Sequence, residues 1–294
     1  MTRRQIILSI SGMVLLEQSA KTATVHRNRS KRPGKLALNA RSRVERPPSS
    51  GHTAVIESTL SFNVSQTAII VCDMWDDHWC KSSARRVAAM TPAMNQVISA
   101  ARKLGVMIIH APSGTIDYYK DTPQHRRMAD APHVDPPTPI KNWCHLEPDK
   151  ENRLPIDDAD GGCDDTEPRT ARRVWRRQHP AIEIKRYDGI SDQGSQVYNF
   201  CYSEGITNLA IMGVHTNMCI LGRSFGIRQM VRLGMKVVLV RDLTDSMYDP
   251  RDEPKVTHQQ GTDLVIEHIE RYWCPSVLSR DLMTLEQARE LTRL

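Results

Sequence analysis

Leu209-Ala210-Ile211-Met212-Gly213-Val214-His215-Thr216-Asn217-Met218-Cys219-Ile220 is the stretch that decides the fold of this chain. Its first half is an unbroken apolar run, as expected of a strand buried on both faces. Gly213 ends the run, a short polar turn follows, and Cys219 opens a helical pattern that reaches Leu233 and closes at Gly234. Strand, turn and helix in that order make half of a βαβ unit. They also place a thiol at the carboxyl end of a strand and at the positive end of a helix, where a thiolate is stabilised.

The same alternation extends outward on both sides. Thr67 to Cys72 reads as a buried strand ending in the carboxylate of Asp73. Arg86 to Leu104 has helical spacing, and Val106 to His110 is the next strand. Ala181 to Lys185 reads as a third strand, ending in a lysine. A helix over Ser195 to Glu204 leads to the strand Asn208 to Val214. Lys236 to Arg241 is a fifth strand, Val256 to Tyr272 a helix, and Cys274 to Leu278 a last short strand. The pattern predicts an α/β protein, a three-layer α/β/α, Rossmann-like domain over residues 61–294 with a mainly parallel sheet of about six strands. Within it, residues 111–180 form a connection far longer than an ordinary crossover, rich in Pro, Asp and Arg. Trp143 and Trp175 are its candidate anchors, and such insertions serve as lids or oligomer contacts.

Composition narrows the function classes. The formal charge of +6 combines a basic start, 11 Lys/Arg against 2 Asp/Glu over residues 1–50, with a remainder of −3. The body therefore lacks the positive surface of a nucleic-acid binder. Residues 1–60 read as a basic N-terminal extension, disordered between Lys21 and Ser50. Arg3-Arg4 ahead of the apolar run Ile6 to Leu16 has the form of a signal segment. The chain is then exported if residues 1–20 act as that signal and cytoplasmic if they do not. No other stretch is apolar enough to span a membrane. The seven cysteines form no Cys-x-x-Cys pair, so neither a disulfide framework nor a zinc ribbon is expected. The acidic turn Asp157 to Asp165 lacks the ligand spacing of a calcium loop, and no metal is expected.

Three functional groups stand at the ends of the expected parallel strands: Asp73, Lys185 and Cys219. Active sites of open α/β sheets form at that edge. A carboxylate there can take the thiol proton, and a cation can favour the ionised forms.

Asp73 after its strand, Lys185 after another, and Gly213-Val214-His215-Thr216-Asn217-Met218-Cys219 resemble the isochorismatase-like cysteine hydrolases. That superfamily includes nicotinamidases and carbamoylsarcosine amidases. The resemblance covers roughly residues 61–278. It also takes in Arg241-Asp242-Leu243-Thr244-Asp245. It implies an Asp73–Lys185–Cys219 triad, with Asp73 as general base and Cys219 as nucleophile, that cleaves an amide- or ureido-type C–N bond of a small molecule through a thioester. It further implies a cis Val214–His215 peptide, an oxyanion hole from the backbone N–H groups of His215 and Cys219, a homo-oligomer and no cofactor.

The chain also departs from the family pattern. Where family members commonly carry Gln and Phe two and five residues after the aspartate, this chain has Trp75 and His78. With His110 and Asn217, these are the expected lining of the substrate pocket. The metal-holding Asp-x-His of nicotinamidases is missing after His110, where the chain reads Ala111-Pro112-Ser113-Gly114. Family members that cleave isochorismate use no cysteine nucleophile, so Cys219 points toward C–N hydrolysis. The competing readings are a thiol-based redox protein and a non-catalytic small-molecule binder of the same fold.

Overall fold

Two strands buried along their whole length, β3 (Thr67–Cys72) and β6 (Asn208–Val214), pair in parallel at the centre of the sheet. The structure, a computed structural model, describes residues 31–47, 51–167 and 171–283. The remaining strands are β1 (Lys35–Glu45), β2 (Thr53–Asn63), β4 (Met107–Ala111), β5 (Gly189–Ile190), β7 (Lys236–Asp245) and β8 (Ser276–Val277). Their order across the sheet is β2-β1-β8-β7-β6-β3-β4-β5. All neighbours from β8 to β5 pair in parallel, whereas β1 and β2 are antiparallel.

Strand alternation builds two cores. Ala68, Ile70 and Cys72 of β3 face one side with Leu209 and Ile211. Ile69 and Val71 face the other with Ala210 and Met212. The first side is covered by α2 (Pro123–Ala129), α3 (Gly194–Glu204), α4 (Ile227–Arg232) and α5 (His258–Tyr272), which contribute Met128, Val197, Phe200, Met230 and Ile269. The second is covered by α1 (Lys81–Leu104) through Val87, Met94, Val97 and Ile98. Burying each such aliphatic side chain contributes about 1.5–3 kcal/mol. This is the expected three-layer α/β/α architecture. Among the described residues no helix is long and apolar enough to cross a membrane.

Three expectations are corrected. First, the part of residues 31–60 that is described is not disordered. It forms the β1–β2 hairpin, which joins the main sheet through β8. Leu36, Leu38 and Ala40 alternate into the second core. The two arginines of β1 are matched by α5: Arg41 Nε lies 2.7 Å from Glu270, and Arg43 Nη2 2.7 Å from Glu267. Composition alone reads such a strand as a charged tail, because its counterions lie more than 220 residues away. The signal segment expected at residues 1–20 lies outside the described residues.

Second, Ala181 to Lys185 is not a strand. The edge strand is β5, eight residues further on, and the Lys185 main chain instead donates to Asp188 at 2.6 Å. Third, the helix expected from Cys219 to Leu233 is broken. A π-type turn over Thr216–Ile220 is followed by a break at Arg223–Gly226 before α4 begins. At the break, Arg223 bridges to Trp143 of the insertion, and Cys144 N donates to Gly222 O at 2.7 Å.

β3, β4 and β5 run outward in one direction, while β6, β7 and β8 run outward in the other. The chain therefore reverses its winding between β3 and β6, and a crevice opens at the carboxyl ends of this pair. Gly213 makes the close approach there feasible. It has φ +116°, and a Cβ would stand 2.1 Å from Cys72 O.

Candidate active site

Asp73 leaves β3 at the crevice with φ +48°, a left-handed conformation that Asp tolerates better than most residues. Its carboxylate is fully buried. Oδ1 accepts the Ser113 backbone N–H at 2.7 Å, and Oδ2 accepts Nε–H of Arg223 at 3.0 Å. Cys219, 7% exposed, comes from the turn after β6 and lies close enough to the same carboxylate for its charge to act on the thiol. The Val214–His215 peptide, at the start of that turn, is cis.

Burial pushes the Cys219 thiol well up, and the Asp73 charge adds to this against the opposing effect of Arg223. The resting group is therefore a thiol aimed at a carboxylate, not the dipole-stabilised thiolate expected from the sequence. Burial alone would lower the pKa of Arg223, but Asp73, Cys219 and Cys72 outweigh it and hold the guanidinium charged.

The expected third member is elsewhere. The Lys185 side chain is 52% exposed and pairs with Glu183 at 2.7 Å. The shift of the edge strand to β5 carries it out of the crevice. Arg223 occupies the cation's place, four residues after Cys219. Its guanidinium lies over the Trp143 ring at 5.4 Å. A helical spacing of four from Cys219 was a usable signal for it.

The expected pocket residues divide into two groups. Trp75 and His78 form an aromatic wall with Trp175 of the insertion. The two tryptophan rings stack at 4.4 Å, and His78 stacks on Trp175 at 5.4 Å. His78 also meets the His215 ring edge-on at 5.1 Å. Burial lowers His78 to about 4 and His215 to about 3, so both are neutral near pH 7. Asn217 and His110 are instead fasteners. Asn217 donates to Asp158 at 2.7 Å and to Met247 O, and its own oxygen accepts from Met247 N. His110 is fully buried between Gln178 at 3.0 Å and Asp188 at 3.1 Å. Trp143, Asp158 and Trp175 all belong to the 111–180 insertion, which therefore builds part of the crevice.

A second polar network stands behind this wall. Asp245, at the end of β7, accepts from Arg86 Nε and His258 Nε2, both at 2.8 Å. Arg86 also grips Asp164 of the acidic turn at 2.7 Å.

A family profile described as Isochorismatase domain matches residues 67–258. The chain belongs to the isochorismatase family. The match spans both strand ends, from β3 and Asp73 to β6 and Cys219. Similar solved structures include a cysteine hydrolase from Pseudomonas syringae pv. phaseolicola 1448A, 15% identical, with 76% of this chain and 92% of that one covered at a TM-score of 0.46. An isochorismatase from Pseudomonas putida KT2440 is 12% identical, covering 74% and 90% at 0.44. An isochorismatase family protein from Desulfovibrio vulgaris is 15% identical, covering 78% and 99% at 0.43. Comparison with curated proteins found no match. As a member of the isochorismatase family the chain is of a hydrolase type, and its own crevice has to supply the chemistry.

Proposed function

We propose that this isochorismatase family member is a cysteine hydrolase that cleaves an amide- or ureido-type C–N bond of a small molecule, with Asp73, Arg223 and Cys219 as its working groups. One observation supports this reading above the others. A buried carboxylate, oriented by a backbone N–H and a guanidinium, stands beside a buried thiol at the switch point of the sheet.

In the proposed reaction Asp73 takes the Cys219 proton as the sulfur attacks the substrate carbonyl. Proton transfer coupled to attack suits a thiol whose pKa is held high. The carbonyl oxygen becomes an oxyanion, for which the backbone N–H groups of His215 and Cys219 are the proposed donors. The C–N bond breaks, the amine leaves with the proton from Asp73, and a thioester remains. Water then gives a proton to Asp73 as its oxygen adds to the thioester. The thiolate departs, regains that proton, and the acid is released. Arg223 keeps the carboxylate oriented and balances charge through both halves.

A thiol-based redox role is the weaker reading. Oxidation follows thiolate character and exposure, and Cys219 has little of either. The test is release of ammonia or amine from a panel of small amides and ureas. Cys219→Ala is expected to lose at least ~10⁴-fold of the wild-type rate. Arg223→Gln is expected to lose about 10²-fold. A wild type inactive on the whole panel, or a Cys219→Ala variant that retains turnover, would sink the reading.

A further inference from the structure

Cys80 is far in sequence from Cys163 and Asp165, but the three converge in the fold. One ligand atom from each, two Sγ and a carboxylate oxygen, lies within 4.8 Å of the others. None of the three belongs to the Asp73–Arg223–Cys219 group. We propose that they form a binding site for a thiophilic divalent cation of the zinc class, which clips the acidic turn of the insertion to the start of α1.

The surroundings are built for such a site. Cys80 is fully buried at the N-cap of α1, whereas Cys163 is partly exposed, which leaves an entry path. Cys163 is delivered by a sharp Gly161-Gly162 turn. Gly162 has φ +63°, and a Cβ there would stand 2.4 Å from Met247 O, so the turn has little freedom. Asp165 is oriented by the helix it caps. Its oxygens accept Lys81 N and Ser82 N, each at 2.8 Å. Metal-binding carboxylates commonly keep such bonds, which fix their geometry. Asp164 is held by Arg86, with its Oδ1 3.7 Å from the Cys80 sulfur.

Burial, and then the facing Cys80 thiol, raise Cys163 to about 12. A dication relieves both effects by displacing two thiol protons to solvent and binding two thiolates. Zinc–sulfur bonds of about 2.3 Å in a tetrahedron need sulfurs about 3.8 Å apart. The observed spacing reaches that by a movement of about 1 Å or less. Three protein ligands are present, and water completes the tetrahedron through the exposed side.

Such an ion would stabilise the catalytic wall. Cys80 N donates to Nδ1 of His78 at 3.2 Å, and His78 packs on Trp175 and His215. The site does not depend on the proposed reaction, and its test needs no substrate.

The test is a Co²⁺ titration of the reduced full-length protein, followed by zinc displacement. The expected result is one cobalt per chain with a thiolate-to-cobalt band in the near ultraviolet and the visible bands of a tetrahedral ion, both lost when zinc is added. Cys163→Ser and Cys80→Ser are expected to weaken binding by at least about 100-fold. Asp165→Asn, which keeps one of the two acceptor oxygens that cap the helix, is expected to change the visible bands. Cys219→Ala should bind as wild type does. No tetrahedral spectrum, or a spectrum lost in Cys219→Ala but kept in Cys163→Ser, overturns the proposal. A Cys80–Cys163 disulfide that forms in air while the reduced protein binds no cobalt overturns it in favour of a redox pair. Cys163→Ser lies on a partly exposed turn, so its folding can be checked by circular dichroism before titration.

Discussion

Two buried carboxylates, Asp73 and Asp188, each meet an arginine at the sheet, and only Asp73 has a role in the proposed reaction. Asp188 precedes β5 and receives Arg102 Nε at 2.9 Å, Arg102 Nη2 at 2.8 Å, His110 at 3.1 Å and the Lys185 backbone at 2.6 Å. Its hydrogen bonds to His110 and Arg102 outweigh burial and hold its pKa below the usual carboxylate value. Four donors occupy both oxygens, and nothing reactive stands nearby. Asp73 has one backbone donor and one guanidinium nitrogen, and its remaining neighbour is a thiol. The same ion-pair chemistry is a fastener when every acceptor position is used. In the proposed reaction it becomes a base because a thiol shares the site.

The comparison can be broken from both sides. The largest expected effect is at Asp73. Asp73→Asn should lower turnover by ~10²–10⁴-fold, the usual worth of a general base. It should also raise the rate of Cys219 alkylation by iodoacetamide, because the carboxylate charge that helps hold the thiol protonated is gone. Slower alkylation together with lost turnover would mean that Asp73 only supports the crevice. At Asp188 the effect should fall on stability. Asp188→Asn leaves Arg102 and His110 poorly paired and should cost about 3–5 kcal/mol in urea unfolding, with turnover per folded molecule little changed. An equal loss of turnover at the two sites would erase the distinction.

The wall beside Asp73 should also show in the pH dependence of stability. In the unfolded chain His215 takes a proton near its ordinary value of 6.5, but in the folded crevice burial, and then the nearby His78, lower it to about 3. Between these values the unfolded state binds more protons, so stability rises with pH. This contribution is complete above about pH 6.5 and declines as the pH falls toward 3. His258 acts in the opposite sense, because Asp245 outweighs burial and raises it. Its contribution is full below 6.5 and is lost as the pH rises through the raised value. Urea midpoints at pH 5 and 7 should differ less in His215→Gln than in wild type. The smallest effect is expected at Lys185. Its salt bridge with Glu183 is exposed, and Lys185→Ala should change stability by no more than about 0.5 kcal/mol. Turnover should stay within about twofold, and a larger loss would return Lys185 to the reaction.

Much of this was readable before folding. Apolar runs ending in Asp73 and Cys219 give the central strands, because a strand buried on both faces has to be apolar throughout. The switch point then brings those two ends together. Other features depend on distant partners. The α1 helix starts at Lys81, five residues before the helical pattern, because Asp165 caps it. Gly261 weakens the α5 pattern, yet a Cβ there would stand 2.2 Å from the Tyr248 ring.

The sequence by itself determined the α/β alternation, the strand-end carboxylate and the strand-end thiol. These follow from periodicity within a dozen residues. Only the tertiary structure decided which cation meets Asp73, that the basic start of the chain contributes a hairpin paired with α5, and that Cys80 meets Cys163. Those contacts join residues 83 to 229 positions apart. Local propensity carries no record of such a partner, and only the assembled sheet brings its charge or sulfur within reach.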